Sequence, residues 1–114
     1  YEVGRLLVIH RNTQEVLGWC GLKYDPQYKE YDIGYRFFKK YWNHGYATES
    51  AKACLDYGFR KLGLHRIIGR ARVENSASIR VFEKLNMTPE STFVEDGQQW
   101  VRYSIMNPHL YSTD

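Results

Sequence analysis

Tyr31-Asp32-Ile33-Gly34-Tyr35-Arg36-Phe37, a polar turn through Gly45, and the run Tyr46-Ala47-Thr48-Glu49-Ser50-Ala51-Lys52-Ala53-Cys54-Leu55 decide how this chain folds. The first segment is rich in aromatic and β-branched residues, which suit a pleated, half-buried surface. From Ala47 the apolar residues recur at Ala51, Cys54, Leu55, Phe59 and Leu62, a helical period. Gly63 then stands where a left-handed residue commonly ends a helix. Gly45, just before the helix, lacks a Cβ and lets a ligand approach the backbone. A helix N-terminus presents unpaired N–H groups and a partial positive charge, so this turn suits a phosphate or pyrophosphate. A strand, a Gly turn and a helix in succession also occur as a plain connection.

Upstream, residues 6–9 and 16–22 flank the polar turn 11–15 and read as a hairpin. Residues 24–29 read as a loop with Pro26 as its breaker. Downstream, residues 65–73 form the next strand, with Ile67, Gly69, Ala71 and Val73 on one face and Arg66, Ile68, Arg70 and Arg72 on the other. Strand, helix, strand in this order predicts a parallel, right-handed crossover. Asn75 is a good N-cap for a second helix over 76–85, and Asn86 can take the left-handed position after it. Residues 93–95 and 100–105 flank Asp96-Gly97, a turn dipeptide, and complete a final hairpin. Gly58, inside the first helix, is expected to permit close packing on the sheet. The sum is an α+β fold: a mixed sheet, antiparallel at both ends, with one parallel crossover and two helices packed on it.

The chain has 114 residues, 16% of them aromatic, so it is one domain able to bury a core and not an ordinary disordered segment. The formal net charge of +3 favours an anionic ligand. The basic residues do not cluster and the aromatics fall where strands and helices need cores, which argues against nucleic acid. No apolar run is long enough to span a bilayer and no signal-peptide pattern opens the chain. Cys20 and Cys54 read as buried small hydrophobes in a reducing compartment, hence a cytoplasmic setting; a disulfide between them is the minor alternative. His10, His65 and His109 lie far apart without ligand spacing, so no metal site is expected.

Two blocks carry a family resemblance. Asp32-Ile33-Gly34-Tyr35 followed by Tyr41-Trp42-Asn43-His44-Gly45-Tyr46-Ala47-Thr48-Glu49 resembles the GNAT superfamily of acetyl-CoA-dependent N-acetyltransferases. Within it, the run is similar to the branch of ribosomal-protein N-terminal acetyltransferases of the RimJ/RimL type. Gly63-Leu64-His65-Arg66-Ile67 and then Asn75-Ser76-Ala77-Ser78-Ile79-Arg80-Val81-Phe82-Glu83-Lys84-Leu85-Asn86-Met87 form the second block. The family's first strand and first two helices would precede Tyr1, so residues 1–114 are expected to be a single GNAT domain that is N-terminally incomplete.

The resemblance implies acetyl-CoA as acetyl donor and a primary amine as acceptor, either a protein N-terminus or a small molecule, and it leaves a homodimer open. It implies that Phe37 and Phe38 lend backbone groups to the pantetheine arm. Trp42, Asn43, His44, Gly45, Tyr46, Ala47 and Thr48 would wrap the pyrophosphate, with Asn75 and Ser78 meeting the cofactor from the second helix. Each has a plainer reading: His44 as a surface loop residue, Trp42 and Tyr46 as packing for the turn, Thr48 and Ser78 as first-turn helix residues. Asp32 occupies the family's acidic position and is the candidate base, with Glu30, on the same strand face, in reserve. The alternative for Asp32 is a solvated strand-edge carboxylate, and an Asp with an ordinary pKa near 3.9 is a weak base for an ammonium. Trp42 stands in the first place of the superfamily signature, where this branch tolerates it, and two further positions depart from the family pattern. Asn43 replaces a glycine, and Phe82 stands where many relatives carry a tyrosine general acid. A weakly active or non-catalytic acyl-CoA-binding module is therefore the second reading.

Overall fold

The computed structural model describes residues 4–42 and 44–109. Nine elements follow in order: β1 (Gly4–Ile9), β2 (Val16–Asp25), β3 (Glu30–Phe37), a single 3-10 turn (Lys39–Tyr41), α1 (Tyr46–Arg60), β4 (Arg66–Arg72), α2 (Ser76–Lys84), β5 (Thr88–Glu95) and β6 (Gln98–Met106). The strands form one sheet in the order β1-β2-β3-β4-β6-β5. Only β3 and β4 pair in parallel; every other neighbour is antiparallel. This is the mixed sheet with one crossover that the pattern predicts.

Local signals set most boundaries. The Asn75 side chain accepts the Ser78 N–H at 3.1 Å and so caps α2. Asn86 has φ 65° just past that helix, and Asp96 and Gly97, at φ 52° and 73°, make the tight turn between β5 and β6. Gly63, at φ 65°, closes α1 through a Leu64 N–H bond to the Gly58 carbonyl. The expected loop over 24–29 is shorter in fact. Strand β2 runs through Asp25, because Tyr24 pairs with Tyr31 across the strands and their rings stand 5.1 Å apart. Strand β5 also begins earlier than expected, at Thr88. It is an edge strand, where Pro89 is tolerated beside a bulge.

One face of the sheet carries the core. Cys20, Leu22, Ile33, Ile67, Ala71, Val101 and Tyr103 meet Ala51, Leu55 and Phe59 of α1 and Phe82 and Leu85 of α2. Two glycines make that contact close. A Cβ on Gly58 would stand 2.9 Å from the side chains of Ile67 and Leu22, so α1 lies against the sheet through a bare backbone. A Cβ on Gly69 would fall 2.8 Å from the Phe82 ring. The other face carries ion pairs: Arg66 to Glu90 at 2.7 Å and to Glu30 at 3.5 Å, Arg70 to Asp32 at 2.9 Å, and Arg102 to Glu30 and Glu90. Arg66 and Arg70 of β4 are therefore paired across strands, whereas Arg72 stays exposed and meets only Glu74 at 3.6 Å.

Cys20 is buried as expected and Cys54 only half-buried, and they are not independent hydrophobes. Their sulfurs stand 3.2 Å apart, across the joint between β2 and α1.

Candidate active site

The site begins where two strands part company. β3 and β4 share only two residue pairs, Tyr31 with Ile67 and Asp32 with Ile68. Beyond them β3 follows β2, with Gly18 opposite Phe37, and β4 follows β6, with Arg72 opposite Trp100. Each strand keeps faith with its antiparallel partner, so the sheet opens into a split whose apex is Asp32. Among the described residues, β3 from Ile33 to Phe37 has no strand partner on the β4 side, which leaves a backbone edge able to accept an extended ligand. Phe82 stands over Gly69 on the β4 side of this split.

Both helices start at the open end. α1 follows the C-terminal end of β3 and α2 follows that of β4. Ligands of open sheets settle at this end, outside the carboxyl ends of parallel strands. The turn leading into α1 is well held. The Trp42 indole Nε1–H donates to the Phe37 carbonyl at 2.9 Å, and the Phe38 N–H donates to the Leu17 carbonyl at 3.1 Å. The Tyr41 hydroxyl donates to Glu15 Oε2 at 2.6 Å, tying the turn to the β1–β2 hairpin. Phe38 and Trp42 leave more than half of their surface exposed.

Gly45 has φ 81° and ψ −1°, left-handed, and it caps α1 with no side-chain bond. A Cβ there would meet nothing within 4 Å. The first-turn N–H groups of Tyr46, Ala47 and Thr48 lie at this helix end, beside the open space at Gly45, and a helix end is where a phosphate group gains most. His44 stacks on Tyr46 with ring centroids 5.7 Å apart, and His10 and Tyr41 meet the same Tyr46 edge-on at 6.0 and 6.2 Å. His10, from the first hairpin, is a neighbour that sequence spacing did not reveal. Asn43 lies outside the described residues.

Across the split, Asn75 Oδ1 is occupied in capping α2, and Ser78 is its partner through the backbone. Tyr35, cross-strand from Cys20, turns a buried hydroxyl toward Ser78, and burial pushes that phenol up. Tyr35 belongs to the Asp32-Ile33-Gly34-Tyr35 block, but no role for its side chain was legible in the sequence, because its environment comes from β2, β3 and α2 at once.

Asp32 is not a solvated edge carboxylate. Its side chain is 19% exposed, and Arg70 Nη2 and Nε both donate to one oxygen, Oδ2, at 2.9 and 3.0 Å. Burial raises its pKa from 3.8 to about 6, against the pull of Arg70. The ordinary value assumed from sequence therefore does not apply. Because the folded pKa lies above the unfolded one, the proton stabilises the native state. Ionising Asp32 costs of order 3 kcal/mol of stability, lost as pH rises from about 4 to about 6. Arg70→Gln is expected to move the Asp32 titration above pH 6, observable in carboxyl carbon NMR; an unchanged midpoint would mean that Arg70 does not hold this carboxylate.

Glu30 has a different setting. It is paired with both Arg66 and Arg102, at the other end of β3. There it borders a depression of about 420 Å³ near Tyr28 and Arg66, away from the open split. The structure thus sets Asp32 at the apex of the split, Phe37, Phe38, Trp42, His44, Gly45, Tyr46, Ala47 and Thr48 along the end of β3 and the start of α1, Asn75 and Ser78 at the start of α2, and Glu30 at the opposite end of β3.

A split sheet fed by two helix N-termini, one of them opened by a left-handed glycine, defines a class: the chain belongs to the acetyltransferase (GNAT) domain family, which it matches over residues 2–88. It is 44% identical over 73 residues to the uncharacterized N-acetyltransferase YnaD of Bacillus subtilis (strain 168), covering 61% of this chain and 43% of that protein. It is 36% identical over 84 residues to FsC-acetyl coenzyme A-N(2)-transacetylase of Aspergillus fumigatus, covering 65% of this chain and 35% of that one. A GNAT-family acetyltransferase from Bacillus anthracis superposes with a TM-score of 0.81 at 36% identity, over 90% of this chain and 66% of that chain. The chain spans about half the length of the first curated relatives it matches.

Proposed function

We propose that this chain is the cofactor-binding part of an N-acetyltransferase that moves an acetyl group from acetyl-CoA to a primary amine by direct attack, without a covalent enzyme intermediate. The observation that carries this reading is the fork at Asp32 and Ile68, opening toward the N-termini of α1 and α2. The residues present fit the cofactor: an uncapped helix start behind a left-handed glycine for the pyrophosphate, and a free strand edge for the pantetheine. Bound acetyl-CoA supplies the thioester carbonyl.

The chain's own groups do the rest. Backbone N–H groups at residues 46–48 hold the anion. Residues 33–38 of β3 align the arm, and Trp42 fixes the end of that strand by its bond to the Phe37 carbonyl. Asp32, at the apex, is ionised above about pH 6 and half committed to Arg70 through a single oxygen. It attracts the cationic amine and, directly or through a water, receives the proton that the amine must lose before attack. Glu30, bound by two arginines, keeps a structural part. The acceptor is a protein N-terminus or a small-molecule amine, and the setting is cytoplasmic, as the two free cysteines favour.

The second reading is an acyl-CoA-binding module with weak or no turnover. Phe82 favours it, being buried and without a proton to give to the leaving thiolate. The test is calorimetric titration of the protein with acetyl-CoA, dephospho-CoA and adenosine diphosphate, followed by an amine screen. Saturable binding with turnover supports the first reading. Binding without turnover on any amine supports the second, and no binding removes both. Asp32→Asn is expected to lower kcat by about 100-fold while leaving acetyl-CoA affinity within about twofold. Equal activity across pH would leave Asp32 a structural residue only.

A further inference from the structure

Cys20 sits in the middle of β2 and is 1% exposed; Cys54 sits in the middle of α1 and is half-buried. They are 34 residues apart in the chain, yet their sulfurs are 3.2 Å apart, about 1 Å longer than a disulfide bond (~2.05 Å). Both are free thiols. Core packing alone does not ask for two thiols in contact on different elements, since either position would accept an alanine or valine. Nor is this a metal site, for no third His, Cys, Asp or Glu joins the pair among the described residues.

We propose that Cys54 and Cys20 form an oxidative modification site, a dithiol that reacts with peroxide at Cys54 and closes onto Cys20 as an intramolecular disulfide joining α1 to β2. The two thiols are unequal. The contact between them and deep burial push Cys20 up, while the same contact pulls Cys54 down. Cys54 therefore ionises first, and it is also the sulfur nearer to solvent. Its thiolate attacks one peroxide oxygen; the S–O bond forms, the O–O bond breaks, and the departing oxygen leaves as water after taking a proton. The Cys20 sulfur then attacks the Cys54 sulfenic acid. The S–S bond forms, the S–O bond breaks, and the hydroxyl leaves as a second water with the Cys20 proton. Two thiols lose two electrons and one peroxide gains them. A dithiol reductant returns the pair to its starting state.

Closure shortens a contact that already exists, so it needs side-chain rotation and a small approach of α1 to β2 rather than unfolding. Because Cys20 stands next to Cys54, sulfenic acid has a partner at hand and over-oxidation is pre-empted. The proposal does not depend on acetyl transfer.

The test uses the whole chain, treated with one equivalent of hydrogen peroxide and followed by thiol counting and non-reducing peptide mass mapping. The wild type is expected to lose both thiols together and yield a peptide pair linked through Cys20 and Cys54, with no intermolecular dimer. Cys20→Ala, which keeps the core apolar, is expected to leave a Cys54 sulfenic acid that dimedone traps. Cys54→Ser is expected to slow loss of the remaining thiol by at least about tenfold. The oxidised wild type is expected to unfold at higher urea concentration, an effect that dithiothreitol reverses. Thiols that survive peroxide in the folded protein but react once it is unfolded would overturn the proposal. So would a Cys54 that over-oxidises as fast in the wild type as in Cys20→Ala.

Discussion

Gly45→Glu is expected to reduce acetyl-CoA affinity by about two orders of magnitude or more in a protein that remains folded. Two terms act on stability in opposite directions. A side chain at φ 81° carries a left-handed penalty of about 1–2 kcal/mol. A carboxylate beside the start of α1 recovers about 0.3–1 kcal/mol from the helix dipole. Nothing lies within 4 Å of the new Cβ, so no clash is added. Binding suffers on both counts. The introduced carboxylate occupies the space in front of the Tyr46, Ala47 and Thr48 N–H groups, and it places a negative charge where the pyrophosphate would lie. Gly45→Ala separates strain from charge and should cost only a few-fold in affinity. Calorimetry and a thermal melt on the same samples give the answer. Wild-type affinity in a folded Gly45→Glu protein would move the anion site elsewhere.

Gly18→Ala carries the largest expected effect on stability. A Cβ at that position would stand 2.1 Å from the Arg36 carbonyl oxygen and 2.7 Å from the Phe37 Cα, both backbone atoms of the neighbouring strand. A flexible side chain can move aside; a paired backbone cannot without opening the ladder. Gly18 is the residue opposite Phe37, and the adjoining Leu17 carbonyl accepts the Phe38 N–H. The methyl group would thus prise β2 from the end of β3 that leads into the cofactor turn. A loss of about 3 kcal/mol or more is expected, a large share of the ~5–15 kcal/mol typical of a domain. In a melt this is roughly a 10 °C drop. Gly34→Ala is the control, because its Cβ would meet the Trp19 ring at an ordinary 3.7 Å. Equal stability of the two variants would mean that the strands are not so close at Gly18.

The site was legible in unequal parts. The glycine before a helix, and the anion site expected there, were read from residue type and helical period, because both act within a few residues; the left-handed conformation of Gly45 came from the structure. The fork did not follow. Nothing in Asp32 or Ile68 says that their pair is the last of the ladder; that comes from β3 holding to β2 and β4 holding to β6 over their full lengths. Trp42 was legible as a packing residue, but its bond to the Phe37 carbonyl depends on how the 3-10 turn folds back. Asn107 was not legible at all. Its buried amide donates to the Phe59 and Leu64 carbonyls at 3.2 and 2.8 Å, closing the end of α1 from the residue just past β6, more than 40 positions later.

By itself the sequence determined the order and kinds of elements, the parallel crossover, the caps at Asn75 and Asn86 and the turn at Asp96 and Gly97. Alternation, helical period and backbone conformational preference act over short stretches and need no distant partner. Only the tertiary structure decided the ionisation of Asp32, the commitment of Glu30 to Arg66 and Arg102, and the meeting of Cys20 with Cys54. Charge and thiol chemistry depend on burial and on distances of 3–4 Å, and those are set by residues 30 or more positions away that packing alone brings together.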